Sequence, residues 1–280
     1  MSHDPIAVFD SGIGGLSVVR HLRQLLPHEN IAYFGDTARV PYGSKSRQTV
    51  VSFSLDIARF LMQFDPKLMV VACNTASALA LDELCAELPI PVVGVVEPGA
   101  LAAARLAASG EVLVLGTEAT INSGAYTRAI TAAEPGVSVI SQACPLLVPL
   151  VEEGRDSSDA IVEMTIRDYL RVIGGRRISA AVLGCTHYPL LRDAIAGALG
   201  PDVTIIDSGR ETSLVVQERL GEVGVLCRDN RAGTLRCFVS DNVTRFQRTG
   251  ARFLHEGLEH VELVEAERYV SSAMPNATGQ

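Results

Sequence analysis

The chain has 280 residues, with 24 Lys and Arg set against 32 Asp and Glu, for a formal charge of −8. Hydrophobic residues make up 48%, charged residues 20% and aromatics 5%, with no Trp. This is globular composition, which excludes disorder, collagen and coiled coil for the bulk of the chain. The acidic balance also excludes a broad nucleic-acid surface or an anionic-membrane surface, both of which need clustered Lys and Arg.

Met1–Pro5 is short and polar and leads straight into an apolar run, unlike a signal peptide. The richest apolar region, Ile90–Ala108, carries Glu97 and Arg105 and is broken by Pro91 and Pro98, so no membrane span is expected. Six cysteines (Cys73, Cys85, Cys144, Cys185, Cys227 and Cys237) are sparse and show no framework spacing. Reduced thiols in a cytoplasmic protein are the expectation.

In chain order, Ile6–Phe9 reads as a strand, Leu16–Leu26 as a helix and Ile31–Phe34 as a strand. Val50–Phe64 reads as a helix, Leu68–Ala72 as a strand, Ala76–Glu87 as a helix and Pro91–Val96 as a strand. The pattern then restarts with strand Glu111–Leu115, helix Asn122–Ala133, strand Val137–Ser141 and one long helix Asp156–Ile173. Strand Ser179–Leu183, helix His187–Leu199 and strand Val203–Ile206 follow. A third stretch has a helix near Leu214–Val223, a strand near Leu235–Val239, a helix near Val243–Leu254 and a strand near Val261–Val264. Continuous apolar strands alternating with helices predict an α/β protein with doubly wound parallel sheets. Residues 271–280 are small and polar and read as a flexible tail.

A faint internal repeat pairs Val70-Val71-Ala72-Cys73-Asn74-Thr75 with Ala181-Val182-Leu183-Gly184-Cys185-Thr186. Each is an apolar strand followed by Cys and Thr and then, on this reading, a helix. Parallel sheets bind ligands at the carboxyl ends of their strands. A Cys at a helix N-terminus has its thiolate favoured, so a modest push down from about 8.5 would make it a usable base. The alternative is a buried small hydrophobe, the reading given to Cys85, Cys144, Cys227 and Cys237. His187, two residues after Cys185, could share its proton or simply face solvent at a helix start. Cys-x-His supplies only two ligands, so no metal site is expected.

Asp10-Ser11-Gly12-Ile13-Gly14-Gly15 follows the first strand, but Ser17 stands where a dinucleotide loop needs its third Gly. Asp10 at the sheet edge is a candidate site residue or an N-cap. Gly35-Asp36-Thr37-Ala38-Arg39-Val40-Pro41-Tyr42-Gly43 is a loop at the same edge, where Tyr42 could offer a hydroxyl. Asn74, Thr75, Thr117, Thr120 and Thr186 are small polar donors. Glu152, beside an apolar run, is more often a solvated carboxylate than a site residue.

Together these segments resemble the glutamate racemases, cofactor-independent enzymes of the aspartate/glutamate racemase superfamily. The resemblance runs from Val8 to about Val264. It is carried by Phe9-Asp10-Ser11-Gly12-Ile13-Gly14-Gly15-Leu16-Ser17, by Phe34-Gly35-Asp36 with Pro41-Tyr42-Gly43, and by Ala72-Cys73-Asn74-Thr75-Ala76. Cys144-Pro145-Leu146 through Glu153-Gly154, and Leu183-Gly184-Cys185-Thr186-His187-Tyr188-Pro189, complete it.

The resemblance implies racemisation of glutamate by two thiols, with no pyridoxal phosphate or other cofactor, supplying D-glutamate for peptidoglycan. It implies that Cys73 takes the α-proton from D-glutamate and Cys185 from L-glutamate, with Asp10 assisting Cys73 and His187 assisting Cys185. Asp36, Pro41 and Glu152 match positions near the family's site. Asp10, Ser11, Tyr42, Gly43, Asn74, Thr75, Thr117, Thr120, Thr186 and His187 would hold the substrate. It further implies one α/β domain of residues 1–97 plus 208–270, a second of 98–207, a cleft between them, and a homodimer. Few residues precede the first strand, so activation by a peptidoglycan precursor through an N-terminal extension is not expected. The alternatives are an aspartate or other amino-acid racemase, an added gyrase-inhibiting role, and a cysteine hydrolase built on Cys185 and His187.

Overall fold

The computed structural model describes residues 3–107 and 110–270. The tail expected at 271–280 lies outside the described residues.

Ten strands form two sheets among the described residues. The first holds β1 (Ile6–Asp10), β2 (Ile31–Gly35), β3 (Leu68–Val71), β4 (Val92–Gly94), β9 (Leu235–Val239) and β10 (Val261–Leu263), in the order β10-β9-β2-β1-β3-β4. The second holds β5 (Glu111–Gly116), β6 (Val139–Ala143), β7 (Ile178–Gly184) and β8 (Thr204–Asp207), in the order β6-β5-β7-β8. Every pairing is parallel. The doubly wound α/β reading therefore holds.

The two sheets repeat one winding. β2-β1-β3-β4 and β6-β5-β7-β8 have the same order, so β3 corresponds to β7. In each sheet the chain steps to one side of the opening strand and then to the other. This creates a crevice at the carboxyl ends of β1 and β3, and a second at the ends of β5 and β7. Cys73 follows the first crevice and Cys185 the second. The faint sequence repeat thus reflects a topological one.

The helices are α1 (Leu16–Leu25), α2 (Arg47–Met62), α3 (Asn74–Glu87), α4 (Val96–Ala104), α5 (Glu118–Asn122), α6 (Ala125–Ala133), α7 (Leu147–Glu152), α8 (Ala160–Tyr169), α9 (Arg192–Leu199), α10 (Ser208–Glu222) and α11 (Val243–Leu254). None among the described residues is long and apolar enough to cross a membrane.

Strand alternation divides the core. Ala7, Phe9, Met69 and Val71 pack with α2 and α3, while Ile6, Val8, Leu68 and Val70 face α1 and α11. The latter cluster runs on into Leu113, Leu115, Ala181 and Leu183, so one apolar mass joins both sheets. Val112, Val114, Ala180 and Val182 pack on α4 and α6. Strands buried on both faces explain why these runs lack polar alternation.

Several elements differ from expectation. The strand expected at Pro91–Val96 shortens to β4, and α4 begins at Val96. Pro98 sits in the first turn of α4, where its missing N–H costs nothing. The helix expected at Asn122–Ala133 is α6, which starts after Gly124, whose φ is +66°; α5 before it was not expected. The long helix expected at Asp156–Ile173 is α8 followed by a 3-10 turn at Leu170–Ile173. It starts late because Asp159 caps it, accepting from the Ile161 N–H at 2.8 Å. The helix expected near Leu214 begins at Ser208, capped by Asp207, which accepts from the Gly209 N–H at 2.9 Å. The helix expected from His187 is a 3-10 turn at Tyr188–Leu191 and then α9.

Candidate active site

The loops after β1, β3, β5 and β7 meet at one cavity of about 370 Å³. Ser11, Tyr42, Gly43, Cys73, Asn74 and Thr75 line it from the first-sheet side. Thr117, Glu152, Cys185, Thr186 and His187 line it from the other. Pro41 is also in the wall. Unforeseen from sequence are Val40, Ser44, Glu118, Pro145, Val148 and Pro149, which complete the lining. Asp10, Asp36 and Thr120 stand behind the wall.

Cys73 is the N-cap of α3; its Sγ accepts from the Ala76 N–H at 3.5 Å and donates to Ser11 Oγ at 3.6 Å. Burial, with the nearby charge of Asp10, pushes the thiol up to about 12 and outweighs the hydrogen bonds at the helix start.

Cys185 differs in its setting. It lies one residue past β7 and leads into the 3-10 turn, not an α-helix, so the helix N-terminus expected there is absent. Its polar neighbour is His187, with Nδ1 3.9 Å from Sγ. His187 is buried rather than solvent-facing. Its Nε2 pairs with Glu152 Oε1 at 3.1 Å, and its ring stands edge-on to Phe253. Burial works against the imidazolium, but Cys185 and Glu152 outweigh it and raise His187 to about 10. Glu152 in turn is held below the usual range by its bond to His187, and Arg245 lies 3.3 Å from its other oxygen. Glu152, which charge statistics favour as solvated but the resemblance puts near the site, lines the cavity. No local pattern could have tied it to a histidine 35 residues away.

Asp10 is fully buried at the end of β1. It accepts from the Gly12 N–H at 2.9 Å and from Thr186 Oγ1 at 3.4 Å, so it links the two sides. Burial raises its carboxyl despite the opposing charge of His187. The close approach of the sides demands small residues. A Cβ on Gly14 would lie 2.2 Å from Thr186 Oγ1, and one on Gly43 would lie 2.8 Å from Thr117 Cβ.

Thr75, Thr117 and Thr120 form a triangle of hydroxyls at 2.9, 3.3 and 2.9 Å that crosses the cavity edge. The Tyr42 hydroxyl, expected to face substrate, instead donates to Asp36 at 2.5 Å. Asp36 also accepts from Arg39 Nε at 2.6 Å and Ser240 Oγ at 2.9 Å. Asp36 therefore fixes the 39–42 loop from behind. Among the described residues no group of three or more His, Cys, Asp or Glu could hold a metal ion.

Two thiols from equivalent strand ends line one cavity. The family model for Asp/Glu/hydantoin racemases matches residues 14–213. The chain belongs to this racemase family. It is 49% identical over 262 residues to a glutamate racemase of Geobacter metallireducens, covering 94% of this chain and 97% of that one. Among solved structures, a Bacillus anthracis glutamate racemase superposes with a TM-score of 0.90 at 40% identity, covering 95% of this chain and 98% of that chain. The Francisella tularensis glutamate racemase, solved with D-glutamate, gives 0.89 at 39% identity, covering 96% and 100%. Within the family, the resemblance first seen in five short motifs thus extends over nearly the whole chain.

Proposed function

We propose that this chain is a glutamate racemase that interconverts L- and D-glutamate by two-base proton transfer and supplies D-glutamate for peptidoglycan. The observation that carries the reading is the pair Cys73 and Cys185, presented to one cavity by corresponding strands of two sheets. A single base cannot readily reach both faces of an α-carbon, so inversion uses one thiolate and one thiol on opposite walls.

From L-glutamate, Cys185 Sγ takes the α-proton while Cys73 Sγ delivers its own to the opposite face. Burial keeps Cys73 protonated for that delivery. From D-glutamate the roles reverse, and the substrate's ammonium group, brought into a closed cavity, favours ionisation of the thiol that must act as base. His187 exchanges a proton with Cys185, and Asp10 performs the corresponding service for Cys73. Ser11, Gly43, Asn74, Thr75, Thr117 and Thr186 offer hydrogen bonds to the carboxylates and amine, with Thr120 and Tyr42 holding these donors in place. Donors fixed in advance in a water-poor site stabilise the carbanion as charge develops. Closure of the two α/β units, 1–97 with 208–270 against 98–207, would exclude water. The same reading carries a cytoplasmic setting, supported by the buried free thiols, and a homodimer, supported by the family resemblance.

Circular dichroism of D-glutamate with purified protein in reducing buffer tests it. The signal should decay to zero, L-glutamate should reach the same endpoint, and Cys73→Ser and Cys185→Ser should each abolish the decay. Decay with aspartate and not glutamate would overturn the substrate; no decay with any amino acid would overturn the enzyme.

A further inference from the structure

Behind the cavity a hydrogen-bonded chain crosses from one sheet to the other. Asn74, directly after Cys73, donates through Nδ2 to the Tyr126 hydroxyl at 2.8 Å. Tyr126 lies on α6, and its oxygen is 2.8 Å from Ser208 Oγ. Ser208 opens α10 where the chain returns from the second sheet, and its hydroxyl donates to the Leu183 carbonyl on β7 at 3.4 Å. Leu183 lies two residues before Cys185. All three side chains are buried, at 4% exposure or less.

A backbone carbonyl can only accept, and with the Ser208 proton on Leu183 one direction runs through the chain, the one in which Asn74 donates to Tyr126. Ser208 Oγ then accepts from Tyr126, whose own proton is spent. The Tyr126 oxygen can therefore only accept from Asn74, which must turn its NH₂ group toward α6. The amide carbonyl is left for the cavity that Asn74 lines.

We infer that Tyr126 is a positioning residue: it fixes the Asn74 amide so that Oδ1 faces the cavity and accepts from the ammonium group of a bound amino acid. The inference rests on the racemase reading, since it assigns the recognition of that reading's substrate. Loss of the Tyr126 hydroxyl frees the amide to rotate and present donors to a cation. It also leaves buried Asn74 Nδ2 and Ser208 Oγ short of a partner.

The test is a double-mutant cycle on kcat/KM for glutamate with Tyr126→Phe, Asn74→Ala and the pair, alongside thermal unfolding of each. Tyr126→Phe should lower kcat/KM about tenfold, the scale of one buried hydrogen bond, mostly through KM. In the Asn74→Ala background the same change should cost less than about twofold, because its target is gone. Losses of equal size in both backgrounds, or no loss in the single variant, would overturn the inference. If Tyr126→Phe does not fold, Ser208→Ala replaces it in the same cycle, since it removes the acceptor that orients Tyr126. Failure of the wild-type protein to racemise glutamate counts against the functional reading; a racemising wild type matched by Tyr126→Phe counts against this one.

Discussion

His187 Nε2 lies 3.1 Å from Glu152 Oε1, and this part-buried pair sets the protonation of the group beside Cys185. Burial opposes the imidazolium, and Cys185 together with Glu152 overcomes it, raising His187 to about 10. Glu152→Gln removes a full negative charge while keeping the shape. His187 should then lose its proton at lower pH. The alkaline limb of the kcat/KM profile should move down by about one pH unit. A limb that stays in place would show that His187 does not govern it.

The same shift has a consequence for stability. A histidine whose folded value is raised from its ordinary 6.5 to about 10 binds its proton more tightly in the folded state. Its contribution is fully present below 6.5, declines as pH rises and is gone once pH passes the folded value of about 10. Cys73, raised from 9 to about 12, acts in the same sense at higher pH, because the unfolded thiol ionises first. Thermal midpoints should therefore fall steadily from pH 6.5 toward 10, and the slope should be shallower in Glu152→Gln. A flat profile would mean that the His187 pair does not differ between folded and unfolded protein.

Gly14 is where the loop after β1 touches the residues after β7. An alanine methyl there would lie 2.2 Å from Thr186 Oγ1 and 2.6 Å from His187 Nδ1. Neither side chain can yield without leaving its place at the cavity. Gly14→Ala should cost about 1–3 kcal/mol of stability by overpacking. Its effect on kcat/KM should be about 100-fold, because a displacement of ångström scale at catalytic groups has that cost. Activity within about threefold of wild type would show that the seam between the two sides can relax.

Enantiomers have equal free energy in an achiral solvent, so a racemase has an equilibrium constant of one. Its kcat/KM values from L and D must then be equal for every variant. His187→Asn should lower both by the same factor, about 10²–10⁴ for loss of an acid–base group. Only kcat and KM taken separately can differ by direction, and they should, because His187 serves one thiol. Initial rates from each enantiomer at matched pH check this. Unequal kcat/KM values would mean that the product is not the free enantiomer.

Both sheets were legible because their strands are unbroken aliphatic runs, such as Leu68–Val71 and Ala180–Leu183, which only a doubly covered parallel sheet can bury. Helix α4 was not, because Pro98 reads as a breaker although it occupies the first turn. The stretch after Cys185 was misread for the opposite reason. Its apolar spacing suits a helix, yet Pro189 lies in a 3-10 turn and α9 starts only at Arg192. Cys73 and Cys185 could be singled out because each follows an apolar strand at the ligand-binding edge. The rise of the Cys73 thiol could not be foreseen: position suggested a helix start, while burial pushes the thiol up. Arg245 and Tyr126 reach the site only through tertiary packing, and no spacing in the chain announces them; Glu152 was named by the resemblance alone, not by its local pattern.

The two thiols are carried by separate sheets yet lie in one cavity. Any motion that parts the sheets must part the sulfurs, so the reacting pair doubles as a gauge of its own opening. Bifunctional thiol reagents of graded length would act as callipers: the shortest that bridges Cys73 and Cys185 reports the width at which the molecule spends its time. Substrate should shift that width, and a ligand that wedges the walls apart would inhibit without touching either sulfur.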